Sequence, residues 1–131
     1  MRLLLDTHVA LWAVADDARL AAGARDLIAD PSNDVFVSVA TVWEIAIKHA
    51  LYPARPNALA ISAAEAVRYF AASGYLLLPV LAAHGIAVER LPPIHGDPFD
   101  RMLIAQALTE PLRLVTSDAE LARYSDTVIR I

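Results

Sequence analysis

The chain has 131 residues, of which 57% are apolar, and its formal net charge is −4 at pH 7. This length predicts a single domain over residues 1–131, and the apolar content is sufficient for a sizeable buried core. The absence of cysteine excludes disulfides and thiolate-bound zinc and is typical of a reducing compartment such as the cytoplasm, while the acidic balance argues against an indiscriminate nucleic-acid binder.

Segments typical of strands alternate with segments typical of helices. The first half predicts, in chain order, a strand at Arg2–Leu5, helices at Val9–Ala15 and Ala18–Ala29, a strand at Val35–Val39 and a helix at Val42–Leu51. The second half predicts a helix capped by Ser62 that ends at Ala72, a short strand or bridging segment at Tyr75–Leu78, a helix around Val80–His84, a helix within His95–Ala107, a strand at Leu112–Thr116, a helix at Ala119–Tyr124 and a last strand at Thr127–Ile131. This alternation is typical of an α/β fold with a mostly parallel sheet.

Local signals set several of these boundaries. Asp16 and Asp17 are expected to begin the second helix. Glu65, three residues after Ser62, completes a capping box, and Gly74 is expected to end that helix.

Neither a signal peptide nor a membrane span is predicted. The N-terminal apolar run ends at Asp6 and is too short for a signal-peptide core. The longest uncharged run of the second half, Tyr69–Val88, is interrupted by glycine and proline. We therefore expect neither secretion nor contact with a membrane.

Five acidic residues follow predicted strands or lie at the start of predicted helices. They are Asp6, Glu44, Asp97, Asp100 and Asp118. In open α/β sheets, ligands bind outside the carboxyl ends of the strands, so these carboxylates are expected to meet in one site. Crowded carboxylates repel one another unless a cation neutralises them, and oxygen ligands suit Mg²⁺ or Mn²⁺. The pattern therefore predicts a divalent metal site, whose implied chemistry is phosphodiester hydrolysis.

Taken alone, each acid also has an ordinary structural explanation, except that Asp6 follows a buried-type strand, caps no strong helix start except through Thr7, and needs a partner. Glu44 follows Thr41 by three residues, which is the spacing of a capping box. Asp97 precedes Pro98 as an N-cap residue would, and Asp118 is placed to cap the helix that follows it. Capping does not require acids at successive strand ends, so the whole set favours a site.

Other polar residues are candidate hydrogen-bond partners of the acids or contacts for substrate. They are Thr7, Ser38, Thr116, Ser117, Lys48 and Arg101. Lys48 lies four residues after Glu44, so its default role is a salt bridge along one helix. The four histidines share no metal-ligand spacing and are interpreted as ordinary surface or core residues. They are His8, His49, His84 and His95.

The high apolar content predicts a partner that covers part of the surface. The aromatic residues expected to be exposed are Trp12, Tyr52, Tyr69 and Phe70. We therefore expect a homodimer that also binds a small protein.

Four sequence motifs spread over nearly the whole chain carry a family resemblance. They are LLLDTHVALW near the start, SVATVWEIAIK in the middle, and DPFDRMLIAQAL followed by LVTSD near the end. Together they resemble the PIN-domain ribonucleases, and specifically the VapC toxins of bacterial toxin/antitoxin pairs. The resemblance implies a three-layer α/β/α domain.

The resemblance also implies residue roles and partners. The metal-binding acids of the family carry over to Asp6, Glu44, Asp100 and Asp118, and the motif leaves open whether Asp97 or Asp100 is the main third acid. Because Asp97 is the expected N-cap, we expect Asp100 to have that role. The implied activity is Mg²⁺- or Mn²⁺-dependent endoribonuclease cleavage that leaves a 5′-phosphate and a 3′-hydroxyl. The implied partners are a second copy of the chain and a VapB-type antitoxin whose C-terminal segment covers the cleft.

Two other α/β families with acidic sites fit less well. A response-regulator receiver needs a phosphoacceptor Asp at the end of its central strand and a Lys after a late strand, but the Tyr75–Leu78 segment ends at Pro79 and Ser117 follows the late strand. A haloacid-dehalogenase-type phosphatase needs a second Asp where His8 stands. The remaining alternative is a non-catalytic, PIN-like or receiver-like magnesium-binding interaction domain.

Overall fold

Five short parallel strands form one sheet. The computed structural model describes the whole chain, residues 1–131. The strands are β1 (Arg2–Leu5), β2 (Asp34–Ser38), β3 (Leu76–Leu78), β4 (Arg113–Thr116) and β5 (Ile129–Arg130). Their order across the sheet is β3-β2-β1-β4-β5, and every neighbouring pair is parallel. The predicted α/β class with a mostly parallel sheet is therefore confirmed.

Seven helices connect and cover the strands. They are α1 (Thr7–Ala15), α2 (Ala22–Ala29), α3 (Val39–Ala50), α4 (Ala63–Ala72), α5 (Ala82–Glu89), α6 (Pro98–Thr109) and α7 (Ala119–Ala122). None of them combines the length and the apolar character that crossing a membrane requires.

Alternate residues of the central strand β1 contribute to two different cores, because successive side chains of a strand point to opposite faces. Leu3 and Leu5 pack in a cluster with buried side chains from α1, α2, α3 and α4. Leu4 packs in a second cluster with side chains from α6 and α7, and α5 contacts α6. The helices thus form one layer on each face of the sheet, which confirms the three-layer architecture.

The helices α1 and α3 begin earlier than predicted, because the residue that ends the preceding strand also caps the helix. Asp6 is the N-cap of α1, and its Oδ1 accepts a hydrogen bond from the Val9 amide at 2.8 Å. Ser38 is the N-cap of α3, and its Oγ accepts from the Ala40 amide at 3.0 Å. Since α3 starts at Val39, the proposed capping box at Glu44 is absent.

The prediction that Asp16 and Asp17 begin the second helix is wrong. Asp16 adopts a left-handed conformation with φ of 52° and ends α1. The Asp17 carboxylate accepts hydrogen bonds from the backbone and the guanidinium of Arg19, which holds a turn before α2 starts at Ala22. The capping box of Ser62 and Glu65 at α4 is present as predicted.

Two further boundaries and the burial of one residue differ from the sequence predictions. β5 spans only Ile129–Arg130, because a hydrogen bond from the Thr127 amide to Ser125 Oγ holds the preceding residues in a turn. α5 extends to Glu89, well beyond the predicted segment. Phe70 was expected to be exposed but is fully buried, since it lies on the inward face of α4 one turn after buried Ala66.

The order of the strands creates a switch point between β1 and β4. The chain builds outward from β1 through β2 to β3, and only later places β4 on the other side of β1. Leu5 pairs with Val115 at the carboxyl end of this pair, and the Asp6 amide donates to the Val115 carbonyl at 3.0 Å. Ligands of open α/β sheets bind outside such a switch point. Asp6 and Asp118 lie on either side of it.

Candidate metal centre

Asp6 lies at the floor of the switch point, where only 4% of its surface is exposed. One carboxylate oxygen caps α1, and the other accepts a hydrogen bond from Thr116 Oγ1 at 2.5 Å. Burial raises the pKa of Asp6 even though both hydrogen bonds favour the charged form. Thr116 Oγ1 also accepts from the Asp118 amide at 3.0 Å, so this one hydroxyl joins the segments after β1 and β4.

Glu44 is equally buried and is held by its own partners. Its Oε1 accepts from Thr7 Oγ1 at 2.6 Å, and its Oε2 pairs with Lys48 Nζ at 2.7 Å. Thr41 Oγ1 lies 3.0 Å from Thr7 Oγ1. Because the Thr7 hydroxyl has one proton and donates it to Glu44, Thr41 is the donor to Thr7. The Glu44 carboxylate is thus fixed and neutralised within the fold.

Asp97 and Asp100 occupy the start of α6, as the sequence indicated. Asp97 is the N-cap, and its Oδ1 accepts from the Phe99 and Asp100 amides at 2.8 and 3.1 Å. Burial, followed by the charge of Asp97, raises the pKa of Asp100 to about 7. The charges of Asp6 and Glu44 act in the same direction. Acids from the end of β1, from α3 and from the start of α6 therefore converge around Asp100.

Asp118 completes the cluster from the other side of the switch point. Its Oδ1 accepts from the Glu120 amide at 2.8 Å and caps α7. Its Oδ2 lies 2.8 Å from Nε2 of His95, and the same nitrogen is 3.4 Å from Asp100 Oδ2. Burial works to raise the pKa of Asp118, but the contact with His95 and the cap outweigh it and lower the pKa. The potential ligand atoms of His95, Asp100 and Asp118 lie within 4.8 Å of one another.

His95 is the residue that sequence reasoning missed. It was interpreted as an ordinary surface or core residue because the histidines share no metal-ligand spacing. The available signal was its place two residues before the N-cap Asp97, in the segment that leads into α6. Burial opposes its protonation, but the hydrogen bond to Asp118 and the charges of Asp100 and Asp118 raise the pKa of His95.

The other predicted site residues fall into two groups. Thr7, Thr116 and Lys48 contact the acids directly. Ser38, Ser117 and Arg101 do not. Ser38 caps α3, Ser117 is exposed and hydrogen-bonds to none of the acids, and Arg101 donates to the backbone carbonyls of Val88, Pro92 and His95.

The donor set of the site fits a hard divalent cation. Carboxylate oxygens dominate it and no sulfur is present, which suits Mg²⁺ or Mn²⁺. The pKa of Asp100 is raised first by burial and then by the negative charges of Asp97, Asp6 and Glu44, both of which a bound cation would offset. The side chains of Asp100 and Asp118 are 24% and 35% exposed, so an ion can reach them from solvent.

An apolar groove adjoins this site along the start of α6. Its volume is about 710 Å³, and Trp43, Val88, Phe99 and Met102 are among its lining residues. Trp43 is 62% exposed and meets the Phe99 ring edge-on, with the ring centroids 5.1 Å apart. The groove therefore reaches the residue next to Asp100.

Comparison with known proteins identifies relatives of the sequence and the fold. Residues 3–126 match the model of the PIN domain. The chain is 32% identical over 129 residues to Ribonuclease VapC22 of Mycobacterium tuberculosis (strain ATCC 25618 / H37Rv), an alignment that covers 93% of this chain and 91% of the relative.

Solved structures share the fold at low sequence identity. The VapBC2 complex of Rickettsia felis bound to a promoter DNA fragment contains a chain with a TM-score of 0.67 and 14% identity, covering 100% of this chain and 98% of that one. FitAcB of Neisseria gonorrhoeae gives a TM-score of 0.66 and 19% identity, covering 98% and 96%. DNA-bound VapBC of Salmonella typhimurium gives a TM-score of 0.61 at 19% identity, and the match covers 100% of this chain and 96% of that one. The sequence matches, supported by the shared fold, show that the chain belongs to the PIN-domain family, in its VapC group.

Proposed function

We propose that this protein is a divalent-metal-dependent endoribonuclease and the toxin component of a type II toxin/antitoxin system. The observation that carries the proposal is the convergence of Asp6, Glu44 and Asp97 on Asp100, where burial together with these neighbouring charges raises the pKa of Asp100 to about 7. Such a cluster is suited to a cation and to a substrate with anionic oxygens. The similarity to a protein named a ribonuclease supports RNA as the substrate.

The residues that would hold Mg²⁺ or Mn²⁺ are Asp6, Asp100 and Asp118, with Asp97 adjacent to them. A bound ion would supply Lewis-acid activation of water and would neutralise charge developing on the phosphodiester. Asp100 and Asp118 face solvent, so RNA would approach from their side.

The chain's other polar residues keep these acids in position. Thr116 holds the Asp6 carboxylate and the backbone of Asp118 together through one hydroxyl. Thr7 and Lys48 fix both oxygens of Glu44. Glu44 would therefore act from within the fold, as a carboxylate that is held in place by its hydrogen bonds and whose charge Lys48 compensates.

RNA cleavage with and without a divalent ion tests this function. The purified protein should cleave single-stranded or loop RNA in Mg²⁺ or Mn²⁺ and lose the activity in excess EDTA. Asp6→Asn and Asp118→Asn should each lower the rate at least about 10²-fold, the scale for loss of a group that stabilises transition-state charge. Asp26→Asn is the matched control, because Asp26 is an exposed acid on α2.

Sequencing the 5′ ends of the products would identify the RNA target and the cleavage sequence. Full activity in EDTA, or in both site variants, would refute the metal-dependent mechanism. Binding of Mn²⁺ without cleavage of any RNA would favour the alternative of a non-catalytic magnesium-binding interaction domain.

The partners that we propose are a VapB-type antitoxin and a second copy of the chain, in the cytoplasm. The apolar groove beside α6 supports an antitoxin segment, because an occupant of the groove contacts Phe99 and Arg101, the sequence neighbours of Asp100, and a basic side chain of that segment would reach toward the acids. The outer face of α3 supports a protein interface, because exposed apolar side chains recur there every four residues. They are Val39, Trp43, Ile47 and Leu51.

Sedimentation of the isolated protein tests self-association. We expect a dimer at about 50 μM, a concentration at which even a weak specific interface forms. Monomers at that concentration would contradict the homodimer. An antitoxin complex that leaves the acids open and the nuclease active would contradict the proposed mode of inhibition.

A further inference from the structure

Both ring nitrogens of His95 are engaged, and their partners fix where its proton lies. Nδ1 faces the backbone amide of Asp97 at 3.0 Å, and that amide can only donate. Nδ1 must therefore offer its lone pair, which leaves the ring proton on Nε2. Nε2–H then points at Asp118 Oδ2, 2.8 Å away, with Asp100 Oδ2 at 3.4 Å.

The backbone of His95 is held as firmly as its ring. Its amide donates to the Tyr124 hydroxyl at 2.8 Å, and its carbonyl accepts from Arg101 Nη1 at 3.4 Å. The second guanidinium nitrogen of Arg101 donates to the Val88 carbonyl at 3.2 Å. Arg101 thus joins the end of α5 to the segment before α6 and fixes the position of the imidazole.

We infer that His95 is a positioning residue, which uses the hydrogen bond from Nε2–H to hold the Asp118 carboxylate beside that of Asp100 and is not itself a metal ligand. The inference rests on the proposed metal-dependent function. A neutral histidine that ligates through Nε2 carries its proton on Nδ1, which here would face the Asp97 N–H. Residues that orient ligating carboxylates typically contribute about 10- to 100-fold to metal affinity.

The tautomer of His95 is the direct test. Nitrogen-15 NMR of the histidine side chains should show Nε2–H with an unprotonated Nδ1, both in the metal-free protein and after saturation with Mg²⁺, which is diamagnetic. Signals missing from the spectrum of His95→Asn give the assignment. A proton on Nδ1 in the Mg²⁺-loaded protein would overturn the inference.

Two substitutions separate the functions of the two nitrogens. His95→Asn keeps an acceptor near Nδ1 for the Asp97 amide but removes the donor to the carboxylates. His95→Gln places an amide donor near Nε2. We expect Mn²⁺ affinity, measured from the electron paramagnetic resonance of the free ion, to fall about 10-fold or more in His95→Asn and less than about 3-fold in His95→Gln.

Thermal stability should stay close to wild type in His95→Asn, because the Asp97 amide keeps its partner. Equal Mn²⁺ affinity of His95→Asn and wild type would overturn the positioning role. Equal loss in both variants, together with a proton on Nδ1, would make His95 a ligand and would also overturn it. Failure of the proposed function would give another result. The His95 variants would then change Mn²⁺ affinity as expected, but the wild type would cleave no RNA.

Discussion

The acid cluster has an inner part and an outer part that the fold treats differently. The inner acids, Asp6 and Glu44, are each only 4% exposed, and all four of their carboxylate oxygens have a partner from the chain. The outer acids, Asp100 and Asp118, have side chains that are 24% and 35% exposed. They come from α6 and from the segment after β4, and His95 lies between them.

The contrast shows where the site needs an external charge. Lys48 compensates Glu44, and hydrogen bonds from Thr116 and the Val9 amide support Asp6. Burial and the charge of Asp97 outweigh the opposing effect of His95 at Asp100, and its pKa is raised to about 7. The fold therefore supplies partners for the inner acids and, through His95 and the cap of α7, for Asp118, and leaves Asp100 as the outer acid that most needs an ion or a basic group of a partner.

Asp100→Asn should produce the largest change. Asp100 is the acid on which the charges of the others converge, so we expect at least about a 10²-fold loss of RNA cleavage with no loss of thermal stability. Cleavage rates at saturating Mg²⁺, together with melting curves, measure both effects. An active Asp100→Asn protein would show that an inner acid, or Asp97, carries the role assigned to Asp100.

Lys48→Met tests whether the inner acids are compensated within the fold. Removing the ammonium leaves the Glu44 carboxylate buried without its cation, so we expect the free energy of unfolding in EDTA to fall by about 1–3 kcal/mol. The double variant Lys48→Met/Glu44→Gln should recover most of the loss, because no charge then remains unpaired. Urea denaturation of the wild type and both variants measures these free energies of unfolding. A single variant as stable as wild type would show that Glu44 does not depend on Lys48.

The positions of these acids were largely predictable from sequence. Parallel strands buried on both faces are continuous apolar runs, so the acids after RLLL and LVT mark strand ends that meet at one edge of the sheet. Helix starts were less predictable, because Asp6 and Ser38 each end a strand and also cap a helix, whereas sequence patterns assign a residue to one element.

Apart from the place of His95 two residues before Asp97, nothing in the sequence indicated its environment. Its three decisive partners besides Asp97 lie on α6, at the cap of α7 and just after α7. They are Asp100, Asp118 and Tyr124. Only the packing of α6 and α7 on the same face of the sheet brings these segments together. No local pattern encodes such a contact, so a lone histidine appeared ordinary.

The pH dependence of stability tests the outer acids without any ion. The folded-state pKa of Asp100, about 7, lies above its ordinary value of 3.8, so the folded protein holds the extra proton between these two values. Stability is then greatest below about pH 4 for this group and falls as the pH rises toward 7. In EDTA at pH 8, Asp100→Asn should be at least about 1 kcal/mol more stable than wild type.

The difference between Asp100→Asn and wild type should vanish near pH 4, where both side chains are neutral. At pH 8, excess Mg²⁺ should raise the stability of the wild type most of the way to that of Asp100→Asn, because the ion binds only the folded site. Urea denaturation at several pH values measures both. A stability difference that does not change with pH would mean that the pKa of Asp100 is not raised in the folded protein.

Asp97→Asn should have the smallest effect and separates the two acids at the start of α6. Asn caps a helix nearly as well as Asp, so its oxygen can still accept from the Phe99 and Asp100 amides, and stability should change by less than about 0.5 kcal/mol. Loss of the Asp97 charge removes a direct cause of the raised pKa of Asp100, so that pKa should fall below about 7. Carbon-13 NMR of the Asp carboxyl groups follows the pKa, and RNA cleavage should remain well above that of Asp100→Asn.

The matched change Asp97→Ala should instead lower the free energy of unfolding by about 1 kcal/mol, because the cap itself is lost. If Asp97→Asn is less active than Asp100→Asn while its melting temperature is unchanged, the metal-binding role belongs to Asp97. The outer acids would then be Asp97 and Asp118.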